Sequence, residues 1–412
     1  MEKDTKSIFN IGNLYVIMWL IYSYLALTNT EIGPLRVVAL LLSLITSLYC
    51  YARLIHKRLT NEYLKALHWL FCMFMFYGVI LVASYSKLYV SFQYQAQPTF
   101  WFIEEMVKSI LPIFAFYYFS KKGYYAKLTL QIWFVVFVLF SIYIFSIHTT
   151  VEQFALIDAG EENKVNNMSY LSVALLPGIA LFESKRIIQM FILMLVVGIS
   201  LTGMKRGAIL VSASSLIWYI FLNLKKSSMT TKLFTILLAT VVLSFVLQFF
   251  DYMLANNAFF SNRFDATLSG STGNRDVISE HLWEYYLTKA NIFQMLFGSG
   301  AYATIRIGVN FAHNDWLEIL ICEGIWGLAL YIYYWYVAIK TTYQIRYQRE
   351  IFLALSLFFI IYLGRTFFSM SINDMSFMST LFLGYYLSKW DDERGVNSSF
   401  LKKAHLIVSK NV

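Results

Sequence analysis

Charged side chains are scarce in this chain: Asp, Glu, Lys and Arg make up 14% of its 412 residues, against 58% hydrophobic residues and a mean hydropathy of +0.58. That scarcity excludes an ordinary soluble domain and puts the chain in the polytopic membrane class. Cysteine is equally sparse. Cys50, Cys72 and Cys322 lie inside apolar runs without CxxC spacing, which excludes a disulfide framework and a zinc site and leaves them as packing residues. No small-residue cleavage pattern follows the charged start MEKDTK, and the first apolar run extends toward Leu27, so it is read as an uncleaved helix. Repeat symmetry of the kind many transporters carry is absent too, since the long polar stretch near residues 251–313 has no counterpart in the first half.

What remains is a series of greasy segments. A spanning helix needs roughly 20 apolar residues. About twelve such windows fall near 11–28, 34–52, 64–85, 98–119, 126–147, 168–183, 187–203, 206–223, 231–250, 315–339, 351–367 and 372–389. The expected fold is therefore all-α: one membrane domain over residues 1–412 with about 12 transmembrane helices.

The net charge of +9 raises the question of nucleic acid, but the placement of the charges answers it. With the N-terminus in the cytoplasm, the connections ARLIHKRLTNEYLK, SKKGYYAK, ESKR, LKKSSMTTK and KTTYQIRYQRE and both tails hold 22 of the 33 Lys and Arg. Cytoplasmic loops retain such residues, so both termini are assigned to the cytoplasm and no nucleic-acid partner is implied. The other side carries a loop near 148–167 and the much longer loop 251–313, between the ninth and tenth windows. Within it, NNAFFSNRFDATLSGSTGNRD reads as irregular, whereas Val277, Leu282, Trp283, Tyr286, Leu287, Phe293 and Leu296 recur at roughly helical spacing. That spacing predicts an interfacial helix over about 276–297, anchored by Trp283, Tyr285 and Tyr286, or an ordinary amphipathic helix packed on the bundle.

Arg206, Arg263, Arg275, Arg306 and Arg365 depart from the charge rule by sitting on the outer side. Arg206, in LTGMKRGAIL, stands where one window ends and the next begins; a cation at a helix N-terminus suits a phosphate, and contact with lipid headgroups is the plain alternative. Arg263 and Arg275 lie in the long loop, and Arg306 and Arg365 are weaker candidates. His313 and Asn314 come just before the tenth window, so Asn314 or Asp315 caps that helix while His313 faces the outer vestibule. Imidazole accepts a proton near neutral pH without special tuning. Glu318 lies one turn on, near enough to the surface to be hydrated and to act as a partner, and Gly324 and Gly327 share a helix face that favours close packing. Glu104, Glu105 and Lys108 sit near a helix start, where pairing of Glu104 with Lys108 accounts for them and an active-site role is the alternative.

The run FAHNDWLEILICEGIWGLALYI resembles the signature of the O-antigen ligase and polymerase family: His-Asn, nine residues, Gly, two residues, Gly, opening the helix after a long outer loop. LTGMKRGAIL is similar to that family's Thr-Gly-Ser-Arg-Gly segment, with Arg206 at the arginine position and Lys205 where serine is usual. The order of landmarks agrees over roughly residues 165–385, including a Gly-x-Gly at Gly298 and Gly300.

The resemblance implies a GT-C-like membrane glycosyltransferase of the bacterial cytoplasmic membrane. Such an enzyme moves glycan from undecaprenyl diphosphate at the outer face, with no cofactor, metal or nucleotide sugar. Its partners would be the lipid-linked glycan, a glycan or lipid A core acceptor, membrane lipids and a chain-length regulator. On that reading His313 and Arg206 are catalytic, and Arg263, Arg275, Asn314 and Glu318 bind substrate. The leaving diphosphate needs fixed cations and the acceptor hydroxyl must lose a proton, whereas paired carboxylates of the glycosidase type are not evident on the outer side. A repeat-unit polymerase is the first expectation, a ligase to lipid A core the second. A lipid-linked oligosaccharide flippase is the alternative from another class.

Overall fold

The computed structural model describes residues 10–28, 33–83, 98–159, 166–225, 229–256, 261, 264–265, 275–308, 310–367, 369, 371 and 375–408. Among these the chain is helical throughout, with no strand. The helices are α1 (Ile11–Thr28), α2 (Pro34–His56), α3 (Glu62–Ala83), α4 (Pro98–Lys121), α5 (Lys127–Ala159), α6 (Ser169–Val173), α7 (Arg186–Thr202), α8 (Arg206–Lys225) and α9 (Met229–Asn256). They are followed by α10 (Arg275–Glu284), α11 (Ile292–Phe297), α12 (Ala303–Gly308), α13 (Asp315–Cys322), α14 (Gly324–Gln344), α15 (Arg349–Thr366) and α16 (Phe377–Val408).

Most apolar windows became single helices, because a long run of apolar residues satisfies its backbone internally and buries one face on its neighbours. α4 is the hub. It packs against α2, α3 and most extensively α16, and Ile110, Leu111, Ile113, Phe114, Ala115 and Phe116 are fully buried there. Among the described residues, five helical segments are long and apolar enough to cross a membrane: Ile11–Thr28, Pro34–His56, Glu62–Ala83, Lys127–His148 and Arg206–Leu224.

Three expected helices are broken. The window 168–183 is the short α6 followed by a 3₁₀ turn over Leu176–Phe182, where Pro177 supplies no N–H. The window 315–339 divides at Glu323 into α13 and α14. The stretch 276–297 is α10, a π turn over Tyr285–Lys289, and α11, which starts afresh with a capping box between Asn291 and Gln294. Of its apolar residues only Leu282 is fully buried, against Ala303, Ala312, Leu317 and Ile321, while Val277, Trp283, Leu287 and Phe293 are exposed.

The Lys/Arg-rich connections meet at one end of the bundle. Lys121 pairs with Asp392 at 2.7 Å, Lys127 and Lys389 share Glu350 at 2.8 and 3.1 Å, and Lys340 pairs with Glu62 at 3.1 Å. The Asn61 amide and the Tyr117 hydroxyl donate to Asp391 at 3.0 and 2.6 Å. Solvated pairs of this kind add little stability one by one, but together they set how the helix ends are arranged.

Candidate functional site

At the opposite end, the chain closes around a cavity of about 440 Å³ whose walls include Tyr170, Lys205, Arg275, His313, Arg365 and Ser369. Among the described residues, four basic side chains face it and no carboxylate lines it. Each reaches the cavity for a local reason.

Lys205 comes from the hairpin between α7 and α8. Asn166 N–H donates to Gly203 O at 3.0 Å, and a Cβ at Gly203 would sit 2.0 Å from Ser169 Oγ, so the hairpin is seated directly on the 166–169 turn. Met204 then turns left-handed (φ 52°). The consequence is that Lys205 lines the cavity, its Nζ 5.9 Å from the centre of the Tyr170 ring, while Arg206 is exposed and is not among the lining residues. The place expected for Arg206 is filled by its neighbour. Its charge is still felt by Arg275, whose proton affinity is lowered by burial and then by Arg206.

Arg365 closes the far wall. Only 3% exposed at the end of α15, it lays its guanidinium 4.3 Å from the centre of the Tyr170 ring, so Tyr170 carries cations from two directions. Sequence reasoning ranked Arg365 low and passed over Tyr170; the usable signal was an arginine at the outer end of an apolar window. Arg306 is used structurally, donating to Ser299 O in the Gly-x-Gly turn. Arg263 lies outside the described residues.

His313 is held by its neighbours on both sides. Ala312 N–H donates to Glu318 Oε2 at 2.8 Å, and Asn314 caps α13 by accepting from Trp316 N–H and Leu317 N–H at 2.9 and 3.2 Å. Between these fixed points His313 adopts a left-handed backbone (φ 52°), and its ring borders the cavity. Burial pushes the imidazole below its usual proton affinity, and Arg275 and Lys205 push it further the same way.

One expectation changes accordingly. Glu318 is not hydrated: it is 7% exposed and accepts from the Thr304 hydroxyl, Ala312 N–H and the Cys322 thiol. It positions the histidine turn and does not line the cavity. The Asn314 carbonyl oxygen is occupied as the helix cap, the structural role that the sequence allowed it. Asp315 ties the same turn to the remaining wall, accepting from Tyr331 Oη at 2.8 Å and from Ser371 N–H at 3.1 Å. Away from the cavity, Lys108 pairs with Glu104 at 3.2 Å and Glu105 at 3.5 Å, as their spacing predicts. Among the described residues, no three His, Cys, Asp or Glu side chains gather as a metal site would require.

The α13–α14 break has a backbone cause. Ser299 and Gly300 N–H donate to Ile321 O and Cys322 O at 2.8 and 2.9 Å. Gly298 and Gly324 are both left-handed (φ 79° and 73°); a Cβ at Gly324 would lie 2.4 Å from Gly298 N. Gly324 therefore permits a main-chain contact, whereas the sequence had paired it with Gly327 on one helix face. An added Cβ costs about 1–2 kcal/mol in a left-handed conformation before any overlap. Gly324→Ala is expected to lower the thermal unfolding midpoint in detergent by at least about 5 °C. Gly198→Ala, where nothing lies within 4 Å of the added carbon, should leave the midpoint unchanged or raise it. Equal midpoints for both variants would refute the contact's importance.

No family model matches this chain, and no curated protein or solved structure is significantly similar to it.

Proposed function

We propose that the chain is a lipid-diphosphate-dependent glycosyltransferase, moving glycan from undecaprenyl diphosphate to an acceptor sugar. In this reading it works at the outer face of the bacterial cytoplasmic membrane, as a repeat-unit polymerase of O-antigen or another surface polysaccharide. The carrying observation is the cavity itself: His313 beside Lys205, Arg275 and Arg365, with no carboxylate in the wall among the described residues. Its position at the end of the bundle away from the ion-paired, Lys/Arg-rich connections supports an extracytoplasmic site, since those connections belong in the cytoplasm. The proposal includes twelve spans, both termini in the cytoplasm and a GT-C-like arrangement. It also treats the exposed apolar residues of α10 and α11 as an interfacial anchor.

In the reaction, the bond between the anomeric carbon and the diphosphate oxygen breaks, and its electron pair stays on the diphosphate. Arg275, Arg365 and Lys205 hold that growing charge, which is worth most in a partly dehydrated cavity. The acceptor hydroxyl oxygen bonds to the anomeric carbon and passes its proton to neutral His313. The cations that lower the affinity of His313 for a proton also keep it in the accepting form.

The test is reconstitution with undecaprenyl-diphosphate-linked repeat units. A ladder of products spaced by one repeat is the expected result. Single transfer to added lipid A core, with no ladder, would make the chain a ligase instead. Absence of transfer to either acceptor by folded protein, together with movement of the labelled lipid between leaflets, would replace the reading with a flippase.

A further inference from the structure

A second cavity, of about 400 Å³, opens at the far ends of α8 and α15, two helices whose other ends border the first. Lys205, just before α8, and Arg365, near the end of α15, line the transfer cavity. Trp218, Phe221 and Asn223 near the end of α8, and Arg349, Phe352 and Leu353 at the start of α15, line the second. At 1.5 Å per residue, Arg349 and Arg365 are about 24 Å apart along the helix, so the two cavities lie at opposite membrane levels.

The walls of this pocket are mostly apolar and aromatic, and among the described residues its ionisable groups besides Tyr343 and Tyr347 are Arg346 and Arg349. Both guanidiniums are fixed. Arg346 lies 4.1 Å from the ring centre of Tyr343 and 4.4 Å from that of Tyr347, and it donates to Tyr343 O at 3.0 Å and to Tyr347 Oη at 2.9 Å. Arg349 donates to Oδ1 of the buried Asn223. These bonds use a minority of the five N–H donors on each guanidinium, so donors remain for a phosphate oxygen. Tyr343 and Tyr347, 63% and 75% exposed, flank the mouth, in the manner of aromatic side chains at a headgroup level.

We propose that this pocket binds an anionic phospholipid of the leaflet opposite the transfer cavity. Its phosphate is held by Arg346 and Arg349, and the start of one acyl chain lies against Trp218, Phe221 and Phe352. The match is one of charge and polarity: two fixed cations with, among the described residues, no acidic side chain at the rim of an apolar slot, at the bundle end where the basic connections gather. The site is independent of the transfer reaction, and each can be tested without the other.

The experiment is native mass spectrometry of the full-length protein in mild detergent, titrated with phosphatidylglycerol or with phosphatidylcholine of the same chains. Phosphatidylglycerol is expected to bind about tenfold more tightly, a difference of about 1.4 kcal/mol, and to stay bound in millimolar inorganic phosphate. The preference should vanish in Arg346→Ala/Arg349→Ala and persist in Arg53→Ala, an exposed arginine at the same end. Should the double variant not elute as folded protein, Arg346→Gln, whose partners are two exposed tyrosines, should cut the preference at least threefold. Equal binding of the two lipids, displacement by inorganic phosphate, or an unchanged preference in the folded variants would overturn the proposal.

Discussion

His313→Ala is expected to lower glycan transfer by about 10²–10⁴-fold, the range that a positioned proton acceptor contributes, with a much smaller change in the apparent affinity for the lipid diphosphate. The ring borders the cavity and is held there by the Ala312–Glu318 bond and the Asn314 cap, neither of which involves the imidazole. Alanine therefore removes the proton acceptor without removing what shapes the turn. The pH profile carries a second, independent reading. Burial, Arg275 and Lys205 all lower the affinity of His313 for a proton. The acid limb of the transfer rate should thus lie below about 6.5, the ordinary histidine value. Lys205→Gln removes one of those cations and should move the limb to higher pH. Stability follows the same sign. The folded chain holds this proton less tightly than the unfolded chain, so the contribution of His313 favours folding above the ordinary histidine range and turns against it as the pH falls. Undiminished turnover by folded His313→Ala, or a downward shift of the limb in Lys205→Gln, would refute the role.

The Arg275→Ala/Arg365→Ala double variant is expected to lose a comparable amount, about 10²–10⁴-fold in kcat/KM. A charge-assisted hydrogen bond contributes about 1.5–3 kcal/mol, and two are removed where the leaving diphosphate gathers charge. The single losses need not sum to the double, because Tyr170 stands beside both side chains. Arg365→Lys should restore little of the loss, since an ammonium does not reproduce a planar guanidinium laid on an aromatic ring. Tyr170→Phe, which keeps the ring, should be mild. Steady-state kinetics with defined lipid-linked repeat units separate these cases; double-variant activity within tenfold of the parent would remove the arginines from the mechanism.

Much of the helical framework was legible because it rests on local composition. The windows at 11–28, 34–52 and 206–223 need no partner to be recognised, and α1, α2 and α8 follow them closely. The pairing of Lys108 with Glu104 was readable from spacing alone. What escaped depends on contacts remote in sequence or on a single dihedral angle. Whether Lys205 or Arg206 enters the cavity turns on the left-handed Met204 and on the seating of Gly203 against Ser169. The division at Glu323 arises from main chain near residue 297, and the burial of Glu318 from Thr304 and Ala312, which no periodicity reveals. In the sequence Arg365 is the end of a greasy run, and what marks it out is the Tyr170 ring against it, which comes from a remote part of the chain.

The bonds from Ser299 and Gly300 to Ile321 and Cys322 have a topological effect. They join the two ends of a short stretch of chain that carries His313. Ends separated by so few residues come together at small entropic cost, and the Tyr77 hydroxyl of α3 bridges the same junction by donating to Phe297 O and Glu323 O. The backbone turn that carries the imidazole is thus fixed largely by contacts near in sequence, whereas the Tyr170 and Arg365 walls come from other parts of the chain.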